Sequence, residues 1–275
     1  MKVEKGQRAL ITGASKGIGV HIARELANRG LNLILVARSQ DKLQVLKEEF
    51  ESLGVQCEIE ALDVNDIEAC TELIDRLNKQ APIDILINNA GILLDSPYLG
   101  QSAEEILRVI NVNLSAPMML SHAALKGMLQ QGRGHIVNIS SLAGLGGFKH
   151  GETYCASKHG LVGFTRALRF SLGGEKVSAS VLCPGYISET GMYATRKEAH
   201  DLEAPSMLGT SPPGAVVKAV IRAIEKDLAE VIVNGRPVRP GLAIAALFPS
   251  FAEKIAQLIG VNSLTEKIAK ASKKD

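Results

Sequence analysis

The chain has no tryptophan, and its few phenylalanines and tyrosines bring the aromatic share to only 4%. Without a long basic block, and without aromatics interleaved among basic residues, the pattern of a nucleic-acid surface is missing. Net charge is +2, too small to attract a polyanion by itself. The four cysteines, Cys57, Cys70, Cys155 and Cys183, form no C-x-x-C pair, and no histidine stands at ligand spacing beside them. That argues against a disulfide framework and against a zinc site, and it predicts reduced thiols in a cytoplasmic protein without a metal. No run of about 18 apolar residues occurs, so no spanning helix is expected. From Met1 to Gly19 the chain passes directly from charged residues into a short apolar run and a glycine loop, with no apolar leader.

What is present is the material of a core. Hydrophobic residues make up 46% of the 275 positions and charged ones 22%, ordinary values for a folded domain. Strand-like and helix-like segments alternate. Arg8–Ile11 is a short apolar run. Ile18, Ile22 and Leu26 recur at helical spacing until Gly30 stops them, and Leu31–Ala37 is almost continuously apolar, as a strand buried on both faces should be. Further strands are expected at 55–62, 83–87, 135–140, 177–182 and 230–234, and helices at 41–53, 66–78, 153–172 and 213–228. A long helix is expected from Ser102, where Ser102 and Glu105 offer a capping box, and Pro117 inside it predicts a bend. Residues 186–211 show no clear period and read as a long loop with short helical pieces. This order predicts one doubly wound α/β domain of Rossmann type, with a seven-stranded parallel sheet and helices on both faces. Its ligand site belongs beyond the carboxyl ends of the strands.

The first strand runs into Thr12-Gly13-Ala14-Ser15-Lys16-Gly17-Ile18-Gly19. Glycines let the backbone approach a diphosphate closely, and the free N–H groups of the following helix face its charge. The spacing is G-x-x-x-G-x-G, and here the sequence resembles the classical short-chain dehydrogenase/reductase family. The resemblance implies a nicotinamide dinucleotide held by Gly13, Ser15, Lys16, Gly17, Ile18 and Gly19. After the second strand an acid would pair with a free ribose 2′-hydroxyl, but Arg38 stands there instead and suits a 2′-phosphate. With Lys16 nearby, NADP(H) is the expected cofactor and NAD(H) the alternative. Family positions at Asp63 and Val64, and at Asn89, Ala90 and Gly91 of an N-N-A-G motif, extend the cofactor cleft. Pro184 and Gly185 resemble the turn beside the nicotinamide, with Ile187 as a backbone contact. The family threonine is displaced: Glu189 occupies its place and Thr190 follows, as after a one-residue insertion.

Tyr154 and Lys158 lie four residues apart, on one face of a helix. A lysine ammonium close to the phenol is expected to lower its pKa, so that it exchanges a proton with a substrate oxygen. Ser141, thirteen residues before Tyr154, matches the family serine that hydrogen-bonds the substrate carbonyl, with Ser140 as the neighbour that competes for the assignment. Asn113, with Asn111 as the less favoured candidate, matches the family asparagine that anchors a water near the lysine.

The resemblance implies hydride transfer between NADP(H) and a carbonyl or secondary alcohol of a small or medium apolar substrate. The alternatives are a catalytically silent cofactor-binding regulator or scaffold on the same fold, and an epimerase or dehydratase relative. Leu93, Leu94, Leu142, Leu145, Phe148, Met192, Tyr193, Met207 and Leu208 are candidates to line the pocket. The domain is expected to span residues 1–240. Residues 241–275 are read as a helical extension that packs on it or at a homodimer or homotetramer interface, with contact to a membrane surface as the less favoured alternative. In the tail, Phe251–Ile259 is amphipathic, and Lys267, Lys270, Lys273 and Lys274 suggest a solvated terminal helix.

Overall fold

The structure is a computed structural model that describes residues 1–200, 203–250, 253, 254 and 266. Strand β1 (Arg8–Thr12) leads into α1 (Ile18–Asn28), followed by β2 (Asn32–Ala37), α2 (Gln40–Glu51), β3 (Cys57–Ala61), α3 (Ile67–Gln80) and β4 (Ile85–Asn88). The second half continues with α4 (Ala103–Ile110), α5 (Ala116–Gln131), β5 (Gly134–Ile139), α6 (Glu152–Ser171) and β6 (Val177–Pro184). After it come β7 (Tyr186–Ile187), α7 (Gly191–His200), β8 (Thr210–Ser211), α8 (Pro213–Glu225), β9 (Glu230–Val233) and α9 (Arg239–Leu247).

Seven strands form one sheet in the order β3-β2-β1-β4-β5-β6-β9, and every pairing is parallel. The expected fold is therefore present. Leu10, Ile34, Leu86 and Ile136 face one layer of helices, and Ile11, Leu33, Ile87 and Val137 face the other. The two sets alternate along each strand because successive side chains point to opposite faces. Helices α1, α2 and α8 cover one side and α3 and α5 the other. At the helix starts, Asp66 accepts from Ala69 N–H at 3.0 Å, and Ser102 and Glu105 form the reciprocal capping box.

Two segments differ from the expectation. The long helix after Ser102 is α4 and α5 joined by a π-helical turn at Asn111–Ser115. Pro117 supplies the reason: it has no N–H for the carbonyl of Asn113 four residues earlier, so the α-helical ladder cannot close there. The region 186–211 is more regular than a loop, because β7 and β8 pair as a separate two-stranded ribbon and α7 runs ten residues between them. Its period is weak in the sequence because α7 lies over the cleft and carries no core-facing stripe. In the tail, α9 begins at Arg239, runs through the expected boundary at 240, and places Leu242 beside Gly146. The expected helices in 251–275 lie outside the described residues, apart from positions 253, 254 and 266. Among the described residues no helix is long and apolar enough to cross a membrane.

Candidate active site

The sheet has its switch point at β1, which pairs with β2 on one side and β4 on the other. The candidate residues lie at the carboxyl ends of these and the next strands, where the crevice opens. The glycine loop is fixed from β4. Thr12 Oγ1 accepts from the backbone N–H groups of Asn89 (3.0 Å) and Ala90 (3.1 Å), and Asn89 Nδ2 donates back to the carbonyls of Thr12 and Gly13. A Cβ on Gly13 would stand 2.9 Å from Ala90 Cα, and Gly13 has φ +66°, so only glycine fits. Gly17 caps α1 with no side-chain hydrogen bond, which leaves the first N–H groups of α1 for an anion.

The carboxyl ends of β2 and β3, where the adenosine is expected, are cationic. Arg38 Nη1 lies 3.9 Å from Asp63 Oδ2, and Arg108 Nη2 donates to the same oxygen at 3.0 Å. Asp63 Oδ1 accepts from Asn65 N–H at 3.0 Å. Asp63 is thus shared between two guanidiniums, and Lys16 is exposed in the loop before α1. Arg108 escaped the sequence reading because a lone arginine in the last turn of α4 has no motif.

Ser141 and Ser140 separate cleanly. Ser140 is buried and donates to the carbonyl of Lys158 at 2.9 Å, a structural bond between β5 and α6. Ser141, the next residue, is partly exposed, accepts from Ala143 N–H at 3.1 Å and hydrogen-bonds the Tyr154 phenol. Lys158 is 3% exposed; its Nζ donates to the carbonyl of Ile139 at 2.9 Å and lies 5.8 Å from the Tyr154 ring centroid. Asn113 is fully buried in the π-turn. Its Oδ1 accepts from Ile92 N–H at 2.8 Å, and its Nδ2 donates to the carbonyl of Ile92 at 2.8 Å and to Ser157 Oγ at 3.1 Å. Its side chain is therefore committed, and the carbonyl that Pro117 leaves without an α-helical partner is the atom it has to offer.

Gly91 is where these groups meet. A Cβ built on it would lie 3.3 Å from Asn113 Oδ1, 3.5 Å from Lys158 Nζ and 3.5 Å from Met192 Cε. The displaced threonine also reaches the cleft. Glu189 takes a left-handed φ of 69°, which absorbs the extra residue, and a Cβ on Gly17 would stand 3.9 Å from Thr190 Oγ1. Strand β6 extends through Pro184, further than expected, and a Cβ on Gly185 would meet the Asn234 side chain. Ile187 is buried in β7, while Val64 packs in the core beside α3.

Burial raises the Tyr154 phenol above its ordinary value near 10, while the hydrogen bond with Ser141 and the charge of Arg196 pull it down. The Lys158 ammonium is tied to the carbonyl of Ile139, and burial pushes its own pKa down to about 8. A phenol that holds its proton at neutral pH is a donor, and the oxygen it can serve is one held beside Ser141.

The family of short chain dehydrogenases matches residues 7–201. The chain is 37% identical over 276 residues to the ketoacyl reductase HetN of Nostoc sp., covering 98% of this chain and 95% of that one. It is 37% identical over 186 residues to the 3-oxoacyl-[acyl-carrier-protein] reductase FabG of Rickettsia conorii, covering 66% of this chain and 73% of that one. Among solved structures, a gluconate 5-dehydrogenase-like protein from Beutenbergia cavernae with bound NADP superposes with a TM-score of 0.77 at 29% identity, covering 85% and 97% of the two chains. A point variant of actinorhodin polyketide ketoreductase with NADPH gives 0.75 at 30%, covering 86% and 98%. The all-parallel seven-stranded sheet agrees with these matches: the chain belongs to the short-chain dehydrogenases.

Proposed function

We propose that this protein is an NADP(H)-dependent carbonyl reductase acting on a ketoacyl substrate, with Tyr154 as the proton donor. The observation that carries the reading is the Tyr154 phenol, half-buried, bonded to Ser141 and one helical turn from the buried Lys158. Two kinds of support meet there. Relatives matched along the chain carry the names of ketoacyl reductases, and solved neighbours hold NADP or NADPH.

The cleft suits such a cofactor. The uncapped start of α1 and the close approach of Gly13 to Ala90 form a cradle for a diphosphate. Arg38, Arg108 and Lys16 outnumber Asp63 at the adenosine end, which favours a 2′-phosphate. The approach of Lys158 Nζ to Gly91 supports a seat for the nicotinamide ribose there. What a bound NADPH supplies is the hydride for the carbonyl carbon.

The chain's own groups do the rest. Ser141 fixes the substrate oxygen, and Tyr154 gives it a proton. Lys158, still mostly charged at pH 7, stabilises the phenolate left behind. The main-chain carbonyl of Asn113 anchors the water that resupplies the proton through Lys158. Phe148, with its ring centroid 6.4 Å from that of Tyr154, gives the substrate side an apolar wall.

Two measurements test this. NADPH oxidation is followed against NADH over acetoacetyl-coenzyme A and a ketone panel, and NADPH should be preferred. Tyr154→Phe should abolish turnover and keep NADPH affinity. A variant that turns over at the parent rate refutes the assignment.

A further inference from the structure

Helix α7 lies over the cleft and is fastened along its length. At its start, Gly191 approaches Gly17 of the glycine loop, and one residue on, Met192 Cε reaches Gly91. The next fastening is Arg196. Its side chain is only 14% exposed, well covered for an arginine. Arg196 Nη2 donates to the carbonyl of Leu93 at 3.1 Å and lies 2.5 Å from Asp95 Oδ1.

Leu93 and Asp95 belong to the segment that follows the N-N-A-G motif. The residue just before them, Ile92, is the one whose N–H and carbonyl are both held by Asn113. Arg196 therefore grips from the lid side the same short segment that Asn113 grips from within. An exposed ion pair alone would count for little. Here the guanidinium is mostly covered and also bonds a main-chain carbonyl, so the contact has a fixed geometry.

We propose that Arg196 is a positioning residue, a latch that holds α7 against residues 92–95 and sets the closed form of the cleft around Tyr154. The inference rests on the reading of Tyr154 as the proton donor. It is independent of which carbonyl compound is reduced. Pairing with Asp95 speaks against the alternative that Arg196 serves as an anion site for substrate. Its charge reaches the catalytic centre all the same, since it draws the Tyr154 phenol downward. The hinge for such a latch lies at the start of α7. Glu189 (φ 69°) and Gly191 (φ 81°) are left-handed on either side of Thr190, and a non-glycine residue held in that region is strained. Rotation at these two positions swings α7, and Arg196 holds it down.

The test uses the NADPH complex of the full chain with Arg196→Met, Arg196→Lys and Asp95→Asn. NADPH release is measured by stopped-flow fluorescence, and steady-state constants are measured with acetoacetyl-coenzyme A. Arg196→Met should speed release roughly tenfold, the scale of one charge-assisted hydrogen bond, with melting temperature unchanged. The KM for NADPH should rise more than kcat falls. Arg196→Lys should recover part of the loss, and Asp95→Asn should lie between. Release and KM at parent values in both Arg196→Met and Asp95→Asn overturn the latch. So does a lysine variant no better than methionine. If Arg196→Met fails to fold, Asp95→Asn leaves α7 intact and decides the matter. If the parent binds NADPH but reduces no carbonyl, the functional reading fails, while the release rates still judge the latch.

Discussion

A buried ammonium is costly, and Lys158 shows it. Its pKa falls from 10.5 to about 8 because burial disfavours the charged form. Between those values the unfolded chain binds a proton that the folded chain has released, so Lys158 makes stability rise with pH across this window. The buried thiols work the other way above pH 9, since burial raises Cys57 and Cys183 to about 12 and Cys70 to about 11. Subtracting the Lys158→Met stability curve from the parent curve isolates the lysine. The difference should climb from about pH 8, and a flat difference refutes the assignment. The same variant should lose turnover.

The π-turn gives a test at the level of the element. Pro117→Ala restores an N–H one helical turn after Asn113, so the ladder can close as an α-helix. The expected result is a melting temperature equal to the parent's or higher, together with a fall in kcat of roughly tenfold or more as Asn113 shifts from its place. Far-ultraviolet circular dichroism and steady-state kinetics measure the two halves of that outcome. The elements differ in how much of them the sequence displayed. Strands β1, β2 and β4 were legible because burial on both faces leaves nearly continuous apolar runs such as Leu33–Ala37, and the Ser102 capping box and the glycine stop at Gly30 marked helix ends. The cofactor loop, Ser141, Tyr154 and Lys158 were legible through fixed spacing. Arg108 and Arg196 were not, because their partners Asp63 and Asp95 are distant in the chain and only the fold brings them close. Helix α7 was hidden for a related reason: it answers to the cleft and leaves no core period.

The whole molecule carries a second polar network at the opposite end of the sheet. His135, near the start of β5, is buried and shares a hydrogen bond of 2.8 Å with Ser180 Oγ, which donates in turn to the carbonyl of Leu228. Burial holds its imidazole at about 4, and Arg169 holds Asp227 at about 2 through a two-point hydrogen bond. Both depressed values mean stability that is present at neutral pH and lost in acid. His135 contributes as pH falls from 6.5 toward 4, and Asp227 below its ordinary 3.8. His135→Gln should move the acid-unfolding midpoint to lower pH, read by circular dichroism because the chain has no tryptophan to report. A midpoint unchanged or raised refutes this. At this scale we also propose self-association into a homodimer or homotetramer. Helix α5 exposes Met118, Met119 and Leu129, and α6 exposes Phe170 at 88%. Sedimentation velocity should find a species larger than the monomer.

The strand order also works as a timetable. β1 pairs first with β2 and later with β4, and β6 gains its outer neighbour only with β9 at residues 230–233, so the sheet closes in the order in which its strands are made. During synthesis the cofactor loop can settle against β4 once the first ninety or so residues have emerged, whereas Tyr154, Ser141 and α7 must wait for the last strand to cover the edge of β6. A nascent chain would therefore hold a dinucleotide cradle well before it holds a reaction centre, and ribosome-stalled lengths on either side of residue 230 should differ in the second property but share the first.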